Sequence, residues 1–145
     1  MSFREKSAWI CLLTTLVVFI PYFSTVFGLV EGGGLTVGAL VTAFAGATVF
    51  LIVLNVVAHI AAAALGRPEA ADERDIAIGF TAFRNAYFTI GSSVFLVMLA
   101  AMVLDASSRS EPFVWAIASQ LLLLCFVLAE VAKYLTQVIC YRGGA

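Results

Sequence analysis

Four long apolar runs, residues 8–27, 36–65, 82–104 and 113–139, restrict this chain more than any other feature. Each is long enough to cross a hydrocarbon core as helix, which takes about 20 residues. Lipid offers no partner to an unpaired backbone group, so a spanning run must close its hydrogen bonds internally. The runs are continuous rather than alternating, which excludes a transmembrane barrel. Composition agrees: 63% of the residues are hydrophobic and 12% charged, with mean hydropathy +1.07, against about 45–50% apolar and 25% charged in soluble domains. The expected fold is therefore all-α: a polytopic membrane protein forming a single four-transmembrane-helix bundle, with helices at about 8–27, 36–65, 72–104 and 112–140.

Basic residues set the expected orientation, because acidic ones contribute little to topology. Arg4 and Lys6 precede the first helix, Arg67, Arg74 and Arg84 surround the second connection, and Lys133 and Arg142 lie toward the C-terminus, leaving Arg109 on the other side. Both termini are expected in the cytoplasm, in a multi-pass protein of the inner membrane. The first segment reads as a retained helix rather than a signal peptide, since no small-x-small cleavage site follows Pro21. Pro21 is expected to kink or end its outer part. Trp9 and Trp115 fall where amphipathic rings favour the headgroup level.

The connections differ in kind. Residues 31–34 (Glu-Gly-Gly-Gly) and 105–111 read as short outer turns, with Pro112 suited to a first helical turn. On the inner side Gly66, Arg67 and Pro68 stop the second helix, and Asp72, Glu73, Arg74 and Asp75 open the third. Asp72 is placed to cap it, with Asp75 at the third position and acidic side chains matched to the positive end of the dipole. The same four residues form the candidate partner-docking loop. They could also offer oxygen ligands to a divalent cation, although capping and solvation account for them. Gly38, Thr42 and Gly46 on the second helix, and Gly91 with Ser92 on the third, read as small-residue packing positions.

Polar residues inside apolar helices are the candidate site. Glu130, Lys133, Gln137 and then Tyr141 fall on one helical face, with Tyr134 beside them. Counting about 1.5 Å per residue places Glu130 level with Asn55, and His59 one turn beyond. Arg84, Asn85 and Tyr87 enter the same layer from the third helix. A carboxylate facing lipid is costly, about 2.5–3.5 kcal/mol on insertion scales, so Glu130 is expected in an internal ion pair, with Arg84 the first candidate partner and Lys133 the second. The cluster Asn55, His59, Arg84, Asn85, Tyr87, Glu130, Lys133 and Gln137 either fixes helix register or serves an ion, proton or ligand. His59 reads first as a satisfied interfacial histidine, with metal binding or pH sensing the sharper reading. Cys11 and Cys125 read as packing residues; for Cys140 lipidation or metal binding is weaker than packing, and no disulfide or cofactor is expected.

The run Asp72 to Ile76, then Phe83, Arg84, Asn85, Ala86 and Tyr87, and the closing stretches 130–137 and 141–144 resemble a family of small four-span prokaryotic membrane proteins of unknown function, with a DERD motif leading into the third helix. The resemblance implies no activity. It implies a regulatory context, as companions of small helix-turn-helix regulators. The first functional expectation is thus a regulatory or sensory partner of a cytoplasmic protein. The alternative is a small cation or proton transporter or channel using Glu130, His59 and Asn55. No HExxH, no serine with a base and no CxxC argues for an enzyme, and a net charge of −1 without a basic patch argues against direct nucleic-acid binding. Besides the bilayer, a second copy of the chain is the expected partner, a dimer being favoured because four helices cannot fully enclose their polar faces.

Overall fold

The helices run past the apolar stretches that announced them, and the residues at their ends explain the extra turns. In the computed structural model, which describes residues 2–64, 70, 72–106 and 111–143, the elements are α1 (Phe3–Glu31), α2 (Val37–Ala64), α3 (Glu73–Ala106) and α4 (Glu111–Gly143), with no strand among the described residues. All four are long and apolar enough to cross a membrane.

α1 starts five residues before the expected boundary because Ser2 caps it, its hydroxyl accepting the Glu5 N–H at 3.1 Å. Ser-x-x-Glu is capping-box spacing. The helix then continues through Pro21 to Glu31, so Pro21 does not end it. Proline removes one donor, a loss that neighbouring helices and hydroxyl side chains absorb in apolar surroundings. Termination comes at Gly33, whose φ of 68° suits glycine. Gly34 N–H reaches the Leu29 carbonyl at 3.0 Å and Gly33 N–H that of Val30 at 3.4 Å, the paired bonds of a Schellman end. Thr36 caps α2 by accepting the Ala39 N–H at 3.1 Å.

The start of α3 is as the acidic run predicts. Asp72 Oδ1 accepts the Asp75 N–H at 2.7 Å, and Asp75 Oδ2 accepts the Asp72 N–H at 3.2 Å, a reciprocal cap. The expected stop at Gly66, Arg67 and Pro68, the outer turn at 107–110 with Arg109, and Gly144 lie outside the described residues. At 34 residues α3 extends about 50 Å, well beyond an apolar core of about 30 Å.

The packing is more open than a closed bundle. α1 and α4 lie together, α2 packs on α1, and α3 makes the most extensive interface, on α4; α2 and α3 share no comparable face. Near one end, Ala8, Leu12 and Val138 form a small core. Further along, Phe19, Tyr22, Val26, Leu40 and Val127 form a larger one. α2 contributes Leu40, with Ala43, Ala47 and Leu51 packed beside it. The small-residue expectation is corrected: Gly38, Thr42, Gly46, Gly91 and Ser92 are exposed, and a Cβ on any of these glycines would meet nothing within 4 Å. α3 turns other small residues inward, including a fully buried Ala82 and half-buried Ala86, Thr89 and Ser93.

Candidate functional site

The charged residues of different helices meet at one end of the array. Arg4 of α1 pairs with Asp75 of α3 at 3.0 Å, and Tyr141 of α4 donates to the same carboxylate at 2.8 Å. Arg142 reaches Glu5 at 3.5 Å and stands 5.1 Å from the Trp9 ring centroid. Ser7 of α1 meets His59 near the end of α2 at 3.0 Å. Residues close to both termini, the last turns of α2 and the first turn of α3 thus share one polar end. The candidate docking loop is partly committed to this structure: Asp72 and Asp75 cap α3, Asp75 is also the hub for Arg4 and Tyr141, and Arg74 donates to the Cys140 carbonyl at 3.4 Å. Glu73 and Arg74 are exposed.

Deeper along the helices the predicted cluster separates into parts. Glu130 is paired, and its partner is Lys133, one helical turn away on α4. The expectation that Arg84 would come first is corrected: Arg84 is exposed, as is Tyr87, which retains 75% of its accessible surface. One helical turn explains the difference, because α3 presents Ile78, Ala82 and Asn85 to α4, which leaves residues 84 and 87 pointing away. Asn85 does join the layer, donating to Thr136 of α4 at 3.1 Å. Lys133 is held between aromatic rings, 4.4 Å from the Tyr134 centroid and 5.6 Å from that of Phe83. Gln137 lies apart from Glu130, in the wall of a cavity of about 420 Å³ that also includes Arg4, Ser7, Asp75 and Tyr141.

Asn55 and His59 behave as their spacing predicts. His59 Nδ1 lies 2.9 Å from the Asn55 carbonyl, which can only accept, so Nδ1 carries a proton there, and Nε2 meets the Ser7 hydroxyl. Cys11 Sγ stands 4.0 Å from the same nitrogen. Both ring nitrogens are therefore engaged, which favours the satisfied interfacial reading. Among the described residues no three His, Cys, Asp or Glu side chains are placed to hold a metal ion.

A second cavity, of about 530 Å³, lies between α1, α2 and α4. Its polar groups are Glu130 and Tyr134 of α4, Asn55 and Thr48 of α2, and Cys11 and Thr15 of α1. Its aromatic walls are Phe19, Phe44 and Phe126. The residues contributed by α2 run from 44 to 55 and those by α4 from 123 to 134, so the slot follows the helix axes for about 16 Å. The Asn55 amide nitrogen is tied to the Leu51 carbonyl at 3.0 Å, and the Thr15 hydroxyl donates to the Cys11 carbonyl at 2.7 Å. The Thr15 hydroxyl thus keeps only acceptor capacity for the cavity, while Asn55 keeps its oxygen and one amide hydrogen.

Sequence reasoning put Tyr141 on the face of Glu130 without its link to Asp75, and passed over Arg4 and Ser7 as site residues and the Tyr22 hydroxyl donating to Gln120 at 2.6 Å between α1 and α4. Arg4 and Tyr141 carried a signal, a charge and a phenol at helix ends opposite an acidic run. Tyr22 and Gln120 are far apart in sequence and carried none. The chain matches no protein-family model, no curated protein and no solved structure.

Proposed function

We propose that this chain is a small multi-pass protein of the inner membrane that acts as a regulatory or sensory partner of a soluble cytoplasmic protein, with both termini and the polar end on the cytoplasmic side. The observation that supports it is the asymmetry of the array. Side chains from all four helices meet at the polar end through Arg4, Asp75, Tyr141, Ser7 and His59, so contact with a partner there would be felt by every helix. Exposed Glu73, Arg74 and Arg142 supply a mixed-charge docking surface at that end. The regulator suggested by the helix-turn-helix association is the partner of choice, approached through protein contact and not through nucleic acid.

A homodimer completes this reading. The exposed row Gly38, Thr42 and Gly46 is a small-residue seam that admits a close second helix. Affinity capture of the full chain in mild detergent, with chemical cross-linking at the polar end, tests the function. Recovery of a soluble regulator, with altered transcription on deletion of the chain, is the expected result; neither occurring would end the proposal.

The transporter reading keeps one observation in its favour, the presence of Glu130 in a cavity wall. Against a continuous path, Phe19, Tyr22, Val26, Leu40 and Val127 pack together beyond the polar layer. Flux into proteoliposomes that is abolished by Glu130→Gln would displace the regulatory reading in its favour.

A further inference from the structure

We propose that the cavity between α1, α2 and α4 is a binding site for a lipophilic cation, an ammonium group carried on an apolar frame. Its volume of about 530 Å³ lies within the roughly 300–1,000 Å³ of small-molecule sites, which are mostly apolar with a few placed polar groups. The polar groups decide the charge of the ligand. Glu130 supplies a carboxylate in the wall; the Asn55 side-chain oxygen offers lone pairs, and so does the Thr15 hydroxyl oxygen, whose one hydrogen is bonded to the Cys11 carbonyl. Lys133, although paired with Glu130, is not part of the wall, so no cationic side chain faces the ligand. The helical backbone has no spare N–H to offer an anion at this depth.

The apolar lining points the same way. Phe19, Phe44 and Phe126 present rings to the slot, and aromatic faces attract cations within about 6 Å of the centroid while also accepting an apolar frame. The polar groups Asn55, Glu130 and Tyr134 come from one end of the stretches lining the slot, and Phe44 and Leu123 from the other. A ligand with charge at one end and bulk at the other matches that gradient. Such a cation competes with Lys133 for Glu130, which leaves the Lys133 ammonium to the Phe83 ring on α3, already 5.6 Å away. The inference stands whether or not a soluble partner docks at the polar end.

The test is equilibrium dialysis of radiolabelled decyltrimethylammonium against the full chain in maltoside micelles, with empty micelles subtracted. Saturable binding is expected, displaced by dodecyltrimethylammonium and not by dodecyl sulfate. Glu130→Gln should weaken binding at least about tenfold and Lys133→Met should tighten it, because the internal competitor is gone. Thr48→Trp, which fills the slot from an edge helix and leaves the ion pair intact, should also abolish binding while the elution profile stays that of the native chain. Arg84→Ala, outside the slot, should bind as the native chain does. Non-saturable uptake, equal displacement by dodecyl sulfate, or native affinity in Thr48→Trp would overturn the proposal, even if Glu130→Gln fails to fold. With cation binding established, displacement by phosphatidylethanolamine in mixed micelles identifies the bilayer as the source of the ammonium, and lack of displacement identifies a free lipophilic amine.

Discussion

The two ends of the helical array are held by different chemistry. At the polar end, helices are joined by directed contacts: Arg4 and Tyr141 on Asp75, Arg142 on Glu5, Ser7 on His59 and Asn85 on Thr136. Toward the opposite end the join is mostly shape, with Phe19, Tyr22 and Val26 of α1 packing against Leu40 of α2 and Val127 of α4 and the Tyr22 to Gln120 bond crossing from α1 to α4. Apolar side chains gain little by leaving lipid for one another, so association in a bilayer rests on packing and hydrogen bonds. The polar end therefore specifies which helices meet, and the apolar half specifies how closely. The smaller cavity with a charged wall lies at the polar end, and the larger runs from Glu130 and Tyr134 to Phe19 and Val127 of the apolar core.

The strongest way to break this comparison is to remove one member of the ion pair. The Lys133 side chain is 13% exposed and that of Glu130 28%, so the lysine suffers more when left alone. Glu130→Ala should destabilise by about 3 kcal/mol and Lys133→Ala by less, with the double variant milder than the sum. Unfolding in detergent by denaturant titration measures this, and equal costs would mean that the difference in burial between the two side chains does not matter.

Asp75→Ala comes next. It removes the acceptor that Arg4 and Tyr141 share together with the half of the reciprocal cap that accepts the Asp72 N–H, an expected loss of about 2 kcal/mol, whereas Asp72→Ala removes the other half of the cap alone and should cost about 1 kcal/mol. If the two variants unfold alike, the links from α1 and α4 to Asp75 add nothing to the cap.

In the apolar half, Tyr22→Phe deletes one interhelical hydrogen bond and keeps the ring. The expected loss is about 0.6–1.7 kcal/mol, the range of such bonds in membranes; a larger value would show that the dry half depends on polar contact as heavily as the polar end does. The smallest effect belongs to Arg84→Ala and Tyr87→Ala, which face outward and should shift stability by no more than about 0.5 kcal/mol. A clear drop in either, accompanied by a change in native mass from dimer to monomer, would place that face of α3 in an oligomer interface instead.

The parts of the site legible in sequence were those within one helix. Glu130 with Lys133, Asn55 with His59 and Asp72 with Asp75 are three or four residues apart, and each pair meets. Parts that depended on the rotation of one helix against another were not legible. Arg84 and Asn85 are adjacent, yet Asn85 reaches Thr136 while Arg84 is exposed. On a soluble helix the apolar face would have revealed the rotation. Here both faces of α3 are apolar, with Phe80, Phe83, Phe88 and Phe95 turned outward and Ile78 and Ala82 inward. Size, not hydropathy, separated them, and the small-residue rows at 38–46 and 91–92 misled because they are exposed.

By itself, then, the sequence determined four helices of membrane-crossing length, the cap that starts α3 and the carboxylate that needed a partner, because helix geometry and the cost of bare polar groups in apolar surroundings act locally along the chain. Only the tertiary structure decided that Lys133 is that partner, that α2 and α3 lie at the edges of an open array, and that Glu130, Asn55 and Tyr134 share one cavity. Those outcomes depend on how each helix is rotated and which neighbour it takes, and in an all-apolar chain that choice is made by close packing between residues far apart in sequence.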